Sequence, residues 1–355
     1  MPFFSRRARR IALDATYGIG EELSGVGLYS REILWGVAEA HPEMQFDFCY
    51  RPHRLLRSWA GRVPANVRRR LLLEPLGPRR AMLFHALNQR LPQMSLKRTV
   101  VTFHDLFVMT GEYSTPEFRA RFTAQAREAA SRADALIAVS AYTRGQMISL
   151  LGVDPARVSV VHHGTRELEL PANVRRERVI LNVGAIQKRK NIIRLVEAFE
   201  AVDPSWRLVL AGASGFGAAE ILGRIERSLA RDRISVLGYI SPSDLASWYA
   251  KAMIFAFPSL DEGFGMPVLE AMSAGIPVVT SNRSALPEVA GDAALLVDPE
   301  DTGALSGALR DLTRTPEFRQ DLVRRGVARA RLFTWKKAVY ETWEVYRRLL
   351  NQGAG

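Results

Sequence analysis

The stretch Phe257-Pro258-Ser259-Leu260-Asp261-Glu262-Gly263-Phe264-Gly265-Met266-Pro267-Val268-Leu269-Glu270 contains the strongest fold signal of this 355-residue chain. It joins an apolar β-type run, 253–258, to a helical pattern, 267–274, through a glycine-rich turn. A buried strand that leads into a helix through such a loop is the repeating unit of a parallel α/β sheet. Because ligands bind these sheets at the carboxyl ends of the strands, the loop is also a candidate site.

The same alternation of strands and helices extends outward into both halves of the chain. It predicts strands in the second half at 178–183, 207–212, 234–238, 253–258, 277–280 and 294–297. It predicts strands in the first half at 10–16, 46–50, 99–104, 135–139 and 158–162. We therefore predict an α/β chain with two parallel-sheet, Rossmann-like domains, 1–172 and 173–333, followed by a terminal helix within 334–355.

Composition restricts the class of protein before any motif is considered. Hydrophobic residues make up 47% of the chain and charged residues 24%, as in an ordinary globular protein. Cys49 is the only cysteine, which excludes a disulfide framework, cysteine zinc sites and iron–sulfur clusters. The sequence has no apolar run long enough to cross a bilayer and its start does not resemble a secretory signal. We expect a cytoplasmic protein that is peripheral at the inner face of the cytoplasmic membrane.

Charge is unevenly distributed along the chain, whose net charge is +12. Residues 51–98 contain twelve Lys or Arg side chains and one acid, Glu74. Leucines interleave with these arginines as in an amphipathic interfacial helix, so we predict an anionic membrane surface or a lipid-linked acceptor as partner. A solvated surface is the alternative, and no module accompanies the charge that would make nucleic acid a partner. The residues of the predicted patch are Arg68, Arg69, Arg70, Arg79 and Arg80.

A cationic loop follows the first predicted strand of the second half. Lys188, Arg189 and Lys190 stand directly before a helix, whose N-terminal amides are themselves electropositive. A solvated loop is the common alternative for such a run. Cations are unfavourable at a helix N-terminus unless an anion compensates them, so the run predicts an anion-binding loop.

Two carboxylates, Glu262 and Glu270, lie eight positions apart across the glycine loop quoted above. Pro267 suits the first turn of a helix, and Glu270 then lies where its carboxylate can accept hydrogen bonds from a vicinal diol. A third loop, 281–288, offers small residues and backbone amides for further oxygen contacts. Each loop alone is also compatible with an ordinary surface turn.

At these residues the chain resembles the retaining glycosyltransferases of family four. The resemblance rests on the E-x7-E element Glu262…Glu270, the Arg189-Lys190-Asn191 loop and the run 286–292, and it extends to 24–27, 102–106 and 139–143 in the first half. It implies the GT-B fold, in which two Rossmann-like domains face each other and the last helix crosses back to the first domain.

The resemblance also implies roles for individual residues. The donor diphosphate would be held by Arg189, Lys190, Gly25 and Gly27. The donor sugar would be bound by Glu262 and by the amides of Gly263, Phe264 and Gly265. Glu270 would bind the ribose, with the nucleobase near Tyr239 and Ile240. The implied catalytic set is His104, Glu262 and Lys190, with His104 beside the reacting sugar or acceptor.

The implied activity is metal-independent transfer of a hexose, with retention, from a nucleotide sugar to a glycan or polyprenyl-linked acceptor in cell-surface polysaccharide or glycolipid synthesis. GDP-mannose is the preferred donor and UDP-sugars are the second choice. Neither a cofactor nor a metal is expected, and the chain has no Asp-x-Asp motif. Positioned cations and a helix N-terminus can stabilise a departing nucleoside diphosphate without a metal.

Two departures from the family pattern and two alternatives remain. Ala185 stands where many relatives have Arg, so Lys188 would share the diphosphate role, and His162-His163-Gly164 replaces the usual Pro-Asn-Gly. A dinucleotide-dependent oxidoreductase is disfavoured because Gly25-Val26-Gly27 lacks the third glycine of the fingerprint. The other alternative is a catalytically idle GT-B fold that acts as a lipid-surface or partner-binding subunit.

Overall fold

The computed structural model describes residues 10–20, 23–75, 77–78 and 80–351, and these residues form two compact units. Unit 1 combines the described residues up to Met109 with Pro116–Gly164 and with those from Thr334 onward. Unit 2 comprises Thr110–Thr115 and Thr165–Phe333. The structure thus divides the chain at Gly164/Thr165, whereas the sequence analysis places the division at 172/173.

Each unit is built around a parallel sheet, which confirms the predicted α/β class. Among the described residues, unit 1 contains seven strands in the order β3-β2-β1-β4-β5-β6-β7. These strands are β1 Arg10–Asp14, β2 Gln45–Tyr50, β3 Val67–Leu71, β4 Leu83–Ala86, β5 Thr99–Phe103, β6 Ala135–Ala138 and β7 Val158–Val160. The described part of unit 2 contains six strands in the order β10-β9-β8-β11-β12-β13. These strands are β8 Glu177–Val183, β9 Arg207–Ala211, β10 Ile234–Gly238, β11 Ala252–Phe257, β12 Val278–Ser281 and β13 Ala294–Val297.

Helices connect most of the strands, as is usual for parallel pairing, whereas among the described residues β3 to β4 and β4 to β5 are joined by loops alone. In chain order they are α1 Gly25–Ala40, α2 Pro52–Ser58, α3 Phe107–Thr110, α4 Pro116–Arg132, α5 Ala141–Leu151, α6 Ile192–Glu200, α7 Ala218–Glu226, α8 Pro242–Lys251, α9 Met266–Ser273, α10 Leu286–Ala290, α11 Thr302–Arg314, α12 Pro316–Ala330 and α13 Trp335–Asn351. Local sequence signals determine where several of these helices begin or end. Ser241 caps α8 by accepting the Asp244 amide, and Gly275 follows α9 with a φ of 69°.

The terminal helix α13 packs on unit 1. Its apolar face, which includes Val339 and Tyr346, is buried in the same core as Ile33 and Val37 of α1. A Cβ atom at Gly36 would lie 2.3 Å from Val339 Cγ2, so only glycine allows this close approach. The buried face of the terminal helix is therefore part of the core of unit 1, in agreement with the family resemblance.

The basic segment of unit 1 does not form the expected interfacial helix. Arg68, Arg69 and Arg70 lie on β3, an edge strand that pairs in parallel with β2. Charge is common on edge strands because it prevents pairing with further strands. Three successive arginines also interrupt the alternation of apolar and polar residues by which a strand is recognised in a sequence. Leu83 and Phe84, which the interfacial interpretation counted among its apolar residues, are buried in β4. The expectation of an amphipathic helix over these residues was wrong.

The strand orders determine where ligands can enter each sheet. In unit 2 the direction of winding reverses between β8 and β11, and in unit 1 it reverses between β1 and β4. At such a switch point the loops that leave the two neighbouring strands diverge and leave a crevice at their carboxyl ends. The cationic loop follows β8 and the glycine loop follows β11, so both border the crevice of unit 2.

Candidate active site

The two loops of the unit 2 crevice are tied together through their backbones. The Leu260 amide donates to the Arg189 carbonyl at 2.8 Å, and the Arg189 guanidinium donates to the Asp261 carbonyl. Gly184, at the start of the cationic loop, has a φ of 148°, and a Cβ there would lie 3.0 Å from Lys190 Cε. Glycine at 184 therefore permits both the turn and the inward course of the lysine side chain.

A buried ion cluster lies in this crevice. The Lys190 Nζ atom is 2.6 Å from Glu262 Oε1, and the Arg189 Nη1 atom is 2.7 Å from Glu262 Oε2. All three side chains are at most 10% exposed. Removing one member of such a cluster leaves a buried charge without compensation, which is strongly unfavourable. The structure thus brings together three residues that the sequence assigned to one site.

Glu262 is held in its ionised form. Burial of the carboxyl group raises its pKa, but the charges of Arg189 and Lys190 outweigh burial and lower the pKa of Glu262 to about 2. At neutral pH the side chain can therefore only accept hydrogen bonds. Its backbone amide donates to Ser284 Oγ at 3.1 Å, which ties the glycine loop to the third predicted loop.

Glu270, on α9, is buried and held by two residues that the sequence analysis did not select. The Tyr249 hydroxyl donates to Oε2 at 2.8 Å, and the Arg166 Nε atom is 3.2 Å from Oε1. Burial and the neighbouring carboxylate raise the pKa of Tyr249, so the phenol keeps its proton. A carboxylate offers about four acceptor positions, and a diol can therefore bind Glu270 beside these partners.

No local sequence pattern marks either partner of Glu270 as a site residue. Arg166 lies a few residues before the predicted domain boundary at 172/173, and Tyr249 lies inside α8. Their one shared property, proximity to Glu270, is a result of folding. A further segment from the first half of the chain belongs to unit 2, where the Thr110 hydroxyl donates to Asp261 Oδ2 at 2.9 Å.

The remaining residues predicted for unit 2 lie in loops at the carboxyl ends of strands. Gly263, Phe264 and Gly265 connect β11 to α9, and Gly265 has a φ of 106°. The ring of Phe264 packs edge-on against Phe333, with 5.8 Å between ring centroids, so a role toward a ligand falls to its backbone amide. Tyr239 and Ile240 follow β10, and Tyr239 is about half exposed.

Lys188 differs from the two cations that follow it. Its Nζ atom is 2.9 Å from Glu220 Oε2 on α7, and both side chains are about half exposed. The suggested share of Lys188 in diphosphate binding stays a prediction, with Glu220 as the group that would have to release it.

The predicted residues of unit 1 form a different environment. His104 follows β5, is buried, and donates through Nε2 to the Leu87 carbonyl at 2.9 Å, so the lone pair is on Nδ1. Its ring contacts Tyr29 edge-on at 4.7 Å and stacks on His163 at 5.4 Å. Burial lowers the pKa of His104 to about 4, and the ring is neutral at neutral pH.

The glycines of unit 1 lie at the first turn of α1. Ser24 caps this helix by accepting the Gly27 amide at 3.2 Å, and Gly25 is the first residue of the helix. A Cβ at Gly27 would lie 3.0 Å from the Tyr17 carbonyl oxygen. The residues predicted for catalysis and diphosphate binding therefore divide into a charged group in unit 2 and a neutral group in unit 1.

The predicted basic patch lies on a surface of α2 and β3. Arg68 and Arg70 are exposed, whereas Arg69 donates to the carbonyls of Ser58 and Gly61 and is half-buried. Arg80 is exposed, and Arg79 lies outside the described residues. Trp59 and Leu56 are exposed beside the arginines, at 67% and 83%. The patch is thus a mixed cationic and apolar surface.

Two features are absent from the described residues. They contain no helix that is both long and apolar enough to span a membrane. They also contain no group of three or more His, Cys, Asp or Glu side chains that could hold a metal ion. The metal independence implied by the resemblance stays a prediction.

Comparison with known proteins adds independent information. A family model described as "Glycosyl transferases group 1" matches residues 167–329, and one described as "Glycosyltransferase Family 4" matches residues 47–166. O-antigen chain mannosyltransferase B of Escherichia coli is 29% identical over 94% of this chain and 99% of its own length. D-inositol 3-phosphate glycosyltransferase of Kineococcus radiotolerans is 31% identical over 74% of this chain and 67% of its own length.

The fold also has relatives among solved structures. Sucrose-phosphate synthase from Thermosynechococcus elongatus superimposes with a TM-score of 0.77 at 23% identity, over 97% of this chain and 100% of that one. At this identity the likeness concerns the fold.

Proposed function

The chain belongs to the family of group 1 glycosyl transferases, and on this premise we propose that it transfers mannose from GDP-mannose, with retention and without a metal, to a glycan or lipid-linked acceptor. The pathway we propose is the synthesis of a cell-surface polysaccharide such as an O-antigen. UDP-sugars are the second choice of donor. The mannosyltransferase of Escherichia coli, whose whole length the chain matches, supports both the sugar and the pathway.

The observation that carries this proposal is the buried cluster of Arg189, Lys190 and Glu262 in the unit 2 crevice. Two cations fixed at the carboxyl end of a parallel sheet fit a diphosphate, and the adjoining carboxylate fits sugar hydroxyls. Glu270, held by Tyr249 and Arg166, supplies acceptors for a ribose diol. The arrangement therefore offers groups for each part of a nucleotide sugar.

In the proposed reaction, the bond between the sugar C1 and the β-phosphate oxygen breaks, and a bond from C1 to an acceptor hydroxyl oxygen forms on the same face. The departing phosphate takes the proton of the acceptor hydroxyl. Negative charge grows on that phosphate as the bond breaks, so Arg189 and Lys190 stabilise the transition state more than the bound donor. Glu262 holds the sugar in the orientation that this departure needs.

The exposed surface of α2 and β3 supports a peripheral location at an anionic membrane. It combines Arg68 and Arg70 with the exposed Trp59 and Leu56. Cations attract an anionic leaflet, and a tryptophan ring suits its interfacial region. A surface of this composition would keep the enzyme close to a lipid-linked acceptor.

The experiment that tests the proposal is donor hydrolysis by the purified protein. A panel of GDP-, UDP-, ADP- and dTDP-sugars is incubated with EDTA present, with Glu262→Ala as the control variant. We expect cleavage of GDP-mannose that the variant lacks. Cleavage of another sugar nucleotide would replace the donor, and loss of activity in EDTA would refute metal independence.

The idle-subunit alternative gives a different result in the same panel. An idle fold would leave every donor intact, and titration calorimetry would then show no binding of any nucleoside diphosphate. If nucleotide binds but is not hydrolysed, addition of a membrane extract that contains acceptors distinguishes strict acceptor dependence from idleness.

A further inference from the structure

Unit 1 has a crevice of its own, in which the basic segment contributes a residue that lies apart from the α2 and β3 surface. The winding of its sheet reverses between β1 and β4, so the loop that follows β4 borders the crevice. This loop begins at Leu87, whose carbonyl accepts the Nε2–H group of His104, and it reaches Arg90 three residues later. Arg90 is thus connected by a short stretch of backbone to the predicted catalytic histidine.

An open cavity of about 300 Å³ lies beside Arg90, and we call it, with its extension described below, the Arg90–Arg121 groove. Its lining residues are Arg90, Phe118, Arg121, Phe122 and Gln125. The Arg121 guanidinium lies over the Phe118 ring, 5.3 Å from its centroid. Both arginines are exposed, and within the described ranges neither guanidinium forms an ion pair or a side-chain hydrogen bond.

The charge of Arg90 acts on the buried carboxyl group of Asp14, but neither arginine of this cavity is engaged in an ion pair among the described residues. Two such guanidinium groups on one cavity are suited to phosphate, because each can donate two parallel hydrogen bonds to its oxygens. The stacking of Arg121 on Phe118 limits the freedom of that side chain before any ligand binds. A second cavity of about 140 Å³ adjoins the first, since Arg90 and Gln125 line both.

The second cavity adds groups of another kind. Its lining includes Glu74, Gln93 and Glu128, and Glu128 is already paired with Arg132 at 2.7 Å. Amides and carboxylates are the groups that recognise sugar hydroxyls, since they supply both donors and acceptors. The groove therefore has a cationic, aromatic end for phosphate and an amide and carboxylate end for hydroxyls.

We propose that the Arg90–Arg121 groove is the acceptor subsite and that it selects a glycan carrying a phosphate or diphosphate group. This inference rests on the proposed function and deepens it by naming the chemical class of the acceptor. Arg90 and Arg121 bind the phosphate, and the amide and carboxylate end binds hydroxyls of the attached sugar. The exposed arginines of β3 then serve the membrane surface, and the groove serves the acceptor itself.

The test measures binding of three probes by titration calorimetry: farnesyl diphosphate, glucose 1-phosphate and glucose. The nucleoside diphosphate identified by the donor panel is present at saturation, so that the donor loops are filled. The variants are Arg90→Gln, Arg121→Gln and the double variant. Arg127→Gln is the matched control, because Arg127 is exposed on the same helix but does not line the groove.

We expect both phosphorylated probes to bind, glucose to bind at least about tenfold more weakly, and each single variant to lose roughly five- to tenfold in affinity. The Arg127→Gln variant should match the wild type. Farnesyl diphosphate binding with no binding of glucose 1-phosphate would assign the groove to a lipid diphosphate alone and overturn the glycan assignment. Equal losses in the control, or unchanged binding in the double variant, would overturn the proposal.

Failure of this inference can be separated from failure of the proposed function. If the variants bind the nucleoside diphosphate and hydrolyse the donor as the wild type does, the donor site is intact and the probe results concern the groove alone. If the wild type binds no nucleotide, the proposed function fails, whatever the probes show.

Discussion

The two crevices of this protein hold their functional side chains in opposite electrostatic states. In unit 2, Glu262 is buried as an ion between Arg189 and Lys190. In unit 1, His104 and His85 are buried as neutral rings, and burial lowers the pKa of His104 to about 4 and that of His85 to about 3. An ionic cluster can exchange its internal partner for a charged ligand, whereas a neutral ring can only present its shape and a fixed tautomer. The comparison therefore favours Arg189 and Lys190 of unit 2 for the proposed stabilisation of the departing phosphate.

Lys190→Ala should produce the largest effect, because it removes one of the two cations that the departing phosphate needs. We expect transfer to fall at least about a thousandfold and affinity for the nucleoside diphosphate to fall about tenfold or more. Transfer rates and calorimetry measure the two effects. Lys188→Ala, on the same loop, is the comparison variant and should lose much less, since Lys188 pairs with the half-exposed Glu220 and lies outside the buried cluster. Equal losses in both variants would contradict the assignment of charge stabilisation to the buried cluster.

Glu262→Gln should separate sugar binding from phosphate binding. The variant keeps the shape but removes the anion that competes with phosphate for Arg189 and Lys190. We expect transfer to fall about a hundredfold or more, while affinity for the nucleoside diphosphate rises a few fold. Calorimetry with the diphosphate measures the second effect, and Glu220→Gln is the matched control. A fall in diphosphate affinity would show that the carboxylate orients the cations more than it competes for them.

Acid should weaken unit 1 before unit 2. In the unfolded chain a histidine takes up a proton near pH 6.5, but the folded state resists until about pH 4 for His104 and about pH 3 for His85. The stability that depends on the neutral rings is therefore present above pH 6.5 and declines below it, by about 2 kcal/mol per histidine at pH 5. The contribution of ionised Glu262 is lost only as the pH falls from about 4.5 toward about 2.

Hydrogen exchange of β5 and β11 at pH 7 and pH 5 measures this difference. His85→Gln should reduce the pH dependence of unit 1, whereas replacement of the exposed His53 should not. Earlier loss of protection in β11 than in β5 would contradict the comparison.

Tyr249→Phe tests whether the hydrogen bond from Tyr249 to Glu270 contributes to nucleotide binding. The variant deletes the hydrogen bond to Oε2, and we expect the KM for the donor to rise roughly three- to tenfold with kcat nearly unchanged. The preference for a ribonucleotide over its 2′-deoxy analogue should fall by a similar factor. Tyr340→Phe, at an exposed position, is the control. If the variant keeps the full preference for the ribonucleotide, Tyr249 contributes to packing and not to ribose binding.

Arg68→Gln with Arg70→Gln should produce the smallest effect on catalysis, because it changes membrane association alone. Each exposed arginine near an anionic leaflet contributes about 1 kcal/mol, so the affinity for anionic vesicles should fall roughly thirtyfold for the pair while donor hydrolysis stays unchanged. Arg69 is kept because it donates to two carbonyls of the chain. The double variant Arg227→Gln with Arg310→Gln, exposed in unit 2, is the control. If the two double variants lower vesicle binding equally, binding depends on the net charge of the protein and not on this surface.

Much of the fold could be predicted because local patterns report burial. The apolar runs of β1, β5, β8 and β11 are read correctly, since a parallel strand is covered on both faces. The strand β3 was missed because its arginines lie at a sheet edge, and only pairing with β2 defines it. The short helix α10 was missed for a related reason: five residues are too few for a helical period to show.

The sequence by itself determined which residue types stand at the ends of which strands, because backbone conformation, capping and burial depend on near neighbours. It therefore placed Arg189, Lys190 and Glu262 on loops at one sheet edge, and Glu270 on the helix that follows the second of these loops. Only the tertiary structure decided their partners. Lys190 and Glu262 are 72 residues apart, and His85 and its partner Tyr346 are 261 apart. Such pairs form when the fold brings distant parts of the chain together. A local sequence pattern does not encode which parts will meet.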